Sequence, residues 1–172
     1  MIHLTVTDRA NAIATFRYVH VRLMETVALW TPRTPEMEVK VMFGRHIWDF
    51  AQHADSLGRR TFELRQPEQH SRTPVDAYVS LLDGVARASS TAERLGSLYD
   101  AIIPGLQRRY RQYVAAADDV LDEPSIVILD RILRDFDRQR AEADSLRRQI
   151  GIERFDPASI AGGDQSIERI VA

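Results

Sequence analysis

Apolar residues return at three- and four-residue steps along most of this chain, the repeat of a helix with one buried face. Between Asp8 and Trp30 the series is Ile13, Phe16, His20, Leu23, Met24 and Val27. Two prolines in TPRTP interrupt it, and a tight turn is predicted there. A second helix is predicted from Pro35 to about Arg65, with Thr34 as its cap, Pro35 in its first position and Glu36 and Glu38 in its first turn. Its apolar face is Val39, Met42, Phe43, Ile47, Phe50, Ala54 and Leu57. Gly58 weakens this helix slightly, and Pro67 marks its end.

The polar run QPEQHSRT then reads as a loop, and a short helix follows from Thr73–Pro74 to about Arg87. Ser90 and Glu93 have the spacing of a capping box. The helix they open carries Leu95, Leu98, Tyr99, Ile102, Leu106, Tyr110 and Tyr113, with Pro104 inside the pattern, where a kink is predicted. After DDVLDEP a last long helix starts at Pro124 with Leu129, Ile132, Leu133, Phe136, Ala143 and Leu146 on its apolar face, and Gly151 is its natural cap. IHLTVT, at the start, is the one stretch that reads as an isolated extended segment. The sum is an all-α chain: four long helices and one short one, joined by tight turns, predict an antiparallel four-helix bundle. The bundle is assigned residues 1–151, and the mixed tail 152–172 is set apart as a docking or partly disordered segment.

Composition narrows the function classes. The formal net charge is −2, where a general nucleic-acid binder would carry a basic surplus. Arginine far outnumbers lysine, with Lys40 alone, but the arginines are spread along the whole chain and mark no single site. No cysteine is present, so disulfides, thiolate catalysis and iron–sulfur clusters are excluded. No apolar run approaches the length of a membrane span, and MIHLTVTDRA lacks the pattern of a signal peptide, so a cytoplasmic location is expected.

The chemistry-bearing residues concentrate on the second helix. On a helical wheel Glu38, Asp49, His53 and His46 fall within an arc of about 80° at the edge of the apolar face. His46 and His53 are seven apart and Asp49 lies between them, so all three can address one volume. His20 falls near the centre of the first helix's apolar face. Imidazole and carboxylate in this pattern suit iron, manganese or zinc, with iron or manganese expected and Glu38, His46, Asp49, His53 and His20 as ligands. The same residues also make sense as a hydrogen-bonded core network, because buried polar groups need partners. No Glu-x-x-His motif occurs, and Asp135 and Glu142 sit at or beyond the edge of the last helix's apolar face. Gln139 points inward most clearly there, and with Tyr110 it is a candidate for contacting a cofactor or ligand. GxSxG, P-loop, GxGxxG and HExxH motifs are all missing.

The run PEMEVKVMFGRHIWDFAQHADSLGRRTFELR resembles the second-helix signature of a largely uncharacterised bacterial family of ferritin-like proteins. The resemblance rests on Trp30, Arg33, Pro35, Glu36, Gly44, Arg45, His46, Trp48, Asp49, Ala54, Asp55, Glu63, Leu64 and Arg65. TAERLGSLYDAIIPGLQRRY and DEPSIVILDRILRD are similar to the family's third helix and to the start of its last one. The likeness covers roughly residues 10–145 and implies a ferritin-like bundle. Di-iron relatives of that superfamily carry two Glu-x-x-His motifs, and this chain has neither.

Two functions are consistent with these residues. One is a metal-dependent oxidative enzyme that uses iron or manganese on a small organic substrate, with His46, Asp49 and His53 as its catalytic residues. The other is a metal-free scaffold that binds or transforms a small molecule through a His/Asp network. A homodimer formed through an outer apolar face is compatible with both.

Overall fold

A computed structural model describes residues 4–66 and 68–172. The chain is all-helical, with no strand among the described residues. Its helices are α1 (Val6–Trp30), α2 (Met37–Glu63), α3 (Asp76–Ala86), α4 (Thr91–Leu95), α5 (Ile103–Ala116), α6 (Glu123–Ile150) and α7 (Ala158–Ser166). Gly96–Ile102 joins α4 to α5 as a stretch of widened helix, in which Ile103 N–H bonds the carbonyl of Leu98. α1 and α2 share the most extensive interface, α6 lies along α2, and the α4–α5 run packs on α6.

The apolar faces read from the sequence are the core. Ile13, Phe16, Leu23 and Val27 of α1, Val39, Met42, Phe43, Phe50 and Leu57 of α2, and Leu129, Ile132 and Phe136 of α6 are all buried. Gly151 caps α6 in the left-handed conformation, φ +73°. Several local expectations are corrected. Residues 1–3, which include the start of the extended segment, and Pro67 lie outside the described residues, and Val6 is already helical. The cap of α1 is a Thr5–Asp8 capping box. Thr34 does not cap α2, which begins at Met37 without a side-chain cap, so Pro35 precedes it. The Thr34 hydroxyl instead donates to the Trp30 carbonyl and accepts from Arg94, which also holds the Arg33 carbonyl. Arg94 thereby pins the turn between α1 and α2 onto α4. Ser90 does cap α4, but the Glu93 carboxylate turns to the N–H and hydroxyl of Ser89. α2 ends in a six-residue turn, Gln66 N–H to Thr61 carbonyl, with Arg65 in the left-handed region at φ 70°.

Pro104 acts through its missing N–H. The carbonyl five residues earlier, on Tyr99, cannot receive a backbone bond from it in the widened register. Arg140 of α6 fills that carbonyl instead, Nε to oxygen 3.1 Å. Beyond α6 the chain folds back. Phe155 sits against Gly96, and Asp164 of α7 is buried between Arg108 and Arg109 of α5 at 2.7 and 2.6 Å. Ile170 is buried, and its carbonyl accepts from Val75 N–H. The widened segment is therefore covered on both sides, by α6 and by the returning tail.

Candidate functional site

α2 and α6 run antiparallel and meet in a ladder of polar pairs. His46 bonds Glu142 (3.1 Å), Asp49 accepts from Gln139 (2.9 Å), and His53 bonds Asp135 (3.0 Å). Each step of three or four residues up α2 is matched by the same step down α6. The spacing of seven that joins His46 to His53 recurs between Asp135 and Glu142. Arg138 brackets the middle of the ladder, reaching Asp49 at 2.8 Å and Asp135 at 3.1 Å.

The two histidines differ in how their ring nitrogens are partnered. Burial pushes Glu142 up, but the hydrogen bonds from Arg45 and His46 outweigh that and hold it below its ordinary range. Glu142 is then an anion and accepts from His46 Nε2–H. Tyr99, on the widened turn, lies 2.6 Å from His46 Nδ1. Burial, reinforced by the Glu142 and Asp49 charges, pushes the Tyr99 phenol well up, so it stays protonated and donates to Nδ1. Both ring nitrogens of His46 are satisfied. Desolvation lowers its pKa despite Glu142, so the ring is neutral.

His53 differs. The hydrogen bond to His53, helped by Arg138, holds the Asp135 carboxyl at about 2, an anion that accepts from His53 Nε2–H. Nε2 is then a donor, and Nδ1 is the ring's other nitrogen, free to accept in the neutral form. That nitrogen is buried and has no partner among the described residues. His20 of α1 stands edge-on to His53, ring centroids 4.9 Å apart, and stacks on Phe136. Its Nε2 lies 3.0 Å from the Tyr110 hydroxyl. Burial holds the Tyr110 phenol protonated, and His20 is the one partner to which its O–H can donate. His20 then carries its proton on Nδ1, which is also buried and unpartnered. Desolvation, with the neighbouring His53, pushes the His20 pKa well down and keeps it neutral. Two unpartnered ring nitrogens, Nδ1 of His53 and the Nδ1–H donor of His20, thus sit on adjacent rings in the core.

A recess of about 200 Å³ leads from the surface to His53 between α2 and α6, lined also by Ser56, Ile132, Arg131 and Arg134. A second recess, about 490 Å³, runs along the outer side of α2 past Met37, Glu38 and Val41 to Glu142.

Sequence reasoning placed five residues around one metal, and the structure distributes them. His46, Asp49 and His53 line one seam, but each engages a different residue of α6. Glu38 is exposed on the outer side of α2, with no hydrogen bond or ion pair to the other four. Of the other four, His20 has His53 as its neighbour. Among the described residues, no three His, Asp or Glu side chains form a group that could hold a metal ion. Tyr110 and Gln139 are fully buried, and the Gln139 carbonyl oxygen is another buried acceptor without a partner. The functional partners that the wheel did not single out are Asp135, Glu142 and Tyr99. The shared spacing of seven on α2 and α6 was the signal for the first two. No protein-family model matches this chain, and no curated protein or solved structure matches it. No helix among the described residues is long and apolar enough to cross a membrane.

Proposed function

We propose that this chain binds and transforms a small organic molecule by acid–base chemistry at His53, on a metal-free scaffold of ferritin-like type. Side-by-side packing of α1, α2, the α4–α5 run and α6 supports the four-helix bundle reading. The observation that carries the function is the setting of His53: Nε2 held by an ionised Asp135, Nδ1 buried without a partner among the described residues. That is the arrangement in which a carboxylate orients an imidazole as a general base. His53 takes a proton from the bound molecule at Nδ1, Asp135 is its positioning group, and the His20 Nδ1–H donates to the oxygen left behind.

Equilibrium dialysis of the full-length protein against a defined mixture of small metabolites, read by mass spectrometry, tests this. Wild type is expected to retain a compound that His53→Gln and Asp135→Asn lose, and 15N NMR is expected to show His53 as the neutral Nε2–H tautomer. Equal retention by all three proteins, or a His53 ring protonated on Nδ1, defeats the reading. A second reading, a metal-dependent oxidative enzyme using iron or manganese, is favoured by the unpartnered Nδ1 atoms of the adjacent His53 and His20 rings, and requires His20 to give up its Nδ1 proton. Near-stoichiometric metal in protein purified without chelator, lost in His53→Ala, would establish it. Failure to take up metal on anaerobic reconstitution would remove it.

A further inference from the structure

The recess at His53 is charged at its mouth. Arg131 and Arg134 are three apart on α6 and line it together, both exposed, while His53 at 2% exposure forms its inner end. The other arginines of α6 have partners. Arg138 holds Asp49 and Asp135, Arg140 holds the Tyr99 carbonyl, Arg147 pairs with Asp100, and Arg148 pairs with Asp144. Arg131 and Arg134 have no hydrogen bond or ion pair among the described residues. No carboxylate lines the recess, and its walls between the arginines and His53 are apolar, Ile128 and Ile132 among them.

We infer that this recess is an anion site, in which Arg131 and Arg134 take the carboxylate or phosphate group of a short-chain molecule whose other end reaches His53. The inference rests on the reading of His53 as the reacting group and supplies its substrate class. Two guanidiniums on one helix face match the oxygens of such a group, and this pair is left open on a helix whose remaining arginines are engaged by other residues. The volume of about 200 Å³ is below that of sites for drug-sized ligands, which run from about 300 Å³ upward, and so favours a molecule of few heavy atoms. Ser56, whose hydroxyl donates to the Gln52 carbonyl, keeps a lone pair for a further donor on the ligand.

The test uses the full chain at constant ionic strength, titrated with acetate, inorganic phosphate and neutral acetamide while 15N signals of the arginine Nε and the histidine rings are followed. Acetate or phosphate is expected to shift Arg131 and Arg134 saturably, with acetamide inert. Arg131→Gln/Arg134→Gln is expected to weaken anion binding by about tenfold or more, the loss of charge-assisted bonds to one group. Both positions are exposed, and an unchanged far-UV CD spectrum shows that the fold is retained. Whichever anion binds more tightly separates carboxylate from phosphate ligands. Anion binding unaltered in the double variant, or no saturation by either anion, overturns the inference. His53→Gln is expected to keep the anion. A bound anion with an unresponsive His53 ring would leave the anion site standing and remove the role of His53, so the two failures are distinct.

Discussion

Replacing Gly105 with alanine sets two physical effects of opposite sign against each other. Gly105 lies inside α5, where alanine is favoured over glycine by about 1 kcal/mol through helix propensity alone. A methyl group there, however, would stand 2.6 Å from Cγ and 2.7 Å from Oδ1 of Asp164, with Oδ2 closer still. That carboxylate has little freedom to move. It is buried, bonded to Arg108 and Arg109, and Arg109 in turn holds the carbonyls of Asp164 and Ile167. Pushing Asp164 aside leaves Arg109, 6% exposed, without its counter-ion. Breaking a buried pair in this way costs about 3–5 kcal/mol, so the net expectation for Gly105→Ala is a loss of about 2–4 kcal/mol. Local release of the tail limits the loss to the free energy of its docking. Urea unfolding followed by CD measures the net change, and hydrogen exchange over residues 158–171 shows whether the tail has come away. In an Asp164→Ala background the clash is gone, and Gly105→Ala is expected to be neutral or stabilising. A Gly105→Ala protein as stable as wild type, or a cost that persists undiminished without Asp164, refutes the reasoning.

Tyr99→Phe removes the donor to His46 Nδ1 and leaves that buried nitrogen unpaired, at an expected cost of about 1–3 kcal/mol by urea unfolding; an unchanged midpoint would mean that the bond contributes nothing. Acid is expected to act in two stages. His20 and His46 have folded pKa values below their ordinary 6.5, so the unfolded chain binds more protons as pH falls through 6.5, and stability is lost below that point. Asp135 is depressed from 3.8 to about 2, so its stabilisation is intact above 3.8 and disappears between there and about 2. His20→Phe is expected to shrink the first stage; urea midpoints that stay level from pH 7 to 5 in wild type would contradict the assignment of neutral histidines.

The helices were legible because each buries one face against a continuous core, so periodicity alone recovers Phe16, Phe43, Phe50 and Phe136 as interior residues. The site was half legible. The wheel brought His46, Asp49 and His53 to one stripe, and they do line one seam. It could not show what faces them, because the partner is fixed by the register between α2 and α6, which no single-helix pattern contains. Asp135 and Glu142 looked marginal for that reason: at the edge of an apolar face a carboxylate can turn outward, or turn in to an imidazole opposite. Thr34 was misjudged because a threonine before a helix usually caps it, whereas here Arg94, sixty residues away in sequence, claims its hydroxyl. The docking of the tail depends on one buried aspartate meeting two arginines and a glycine, and sequence spacing does not encode that meeting.

The widened turn at Gly96–Ile102 also sets an angular phase. In an unbroken α-helix Tyr99 and Tyr110 would project within roughly 20° of each other. They are required to face different neighbours, Tyr99 the histidine of α2 and Tyr110 the histidine of α1. A stretch that advances less per residue makes the second tyrosine lag the first, so one rod can address two adjacent helices. Rewinding it as regular α-helix with the same number of residues would rotate everything downstream by about 100°, carrying Leu106 and Tyr110 off the core together. The widened winding of this segment is therefore what lets Tyr99 and Tyr110 face different helices.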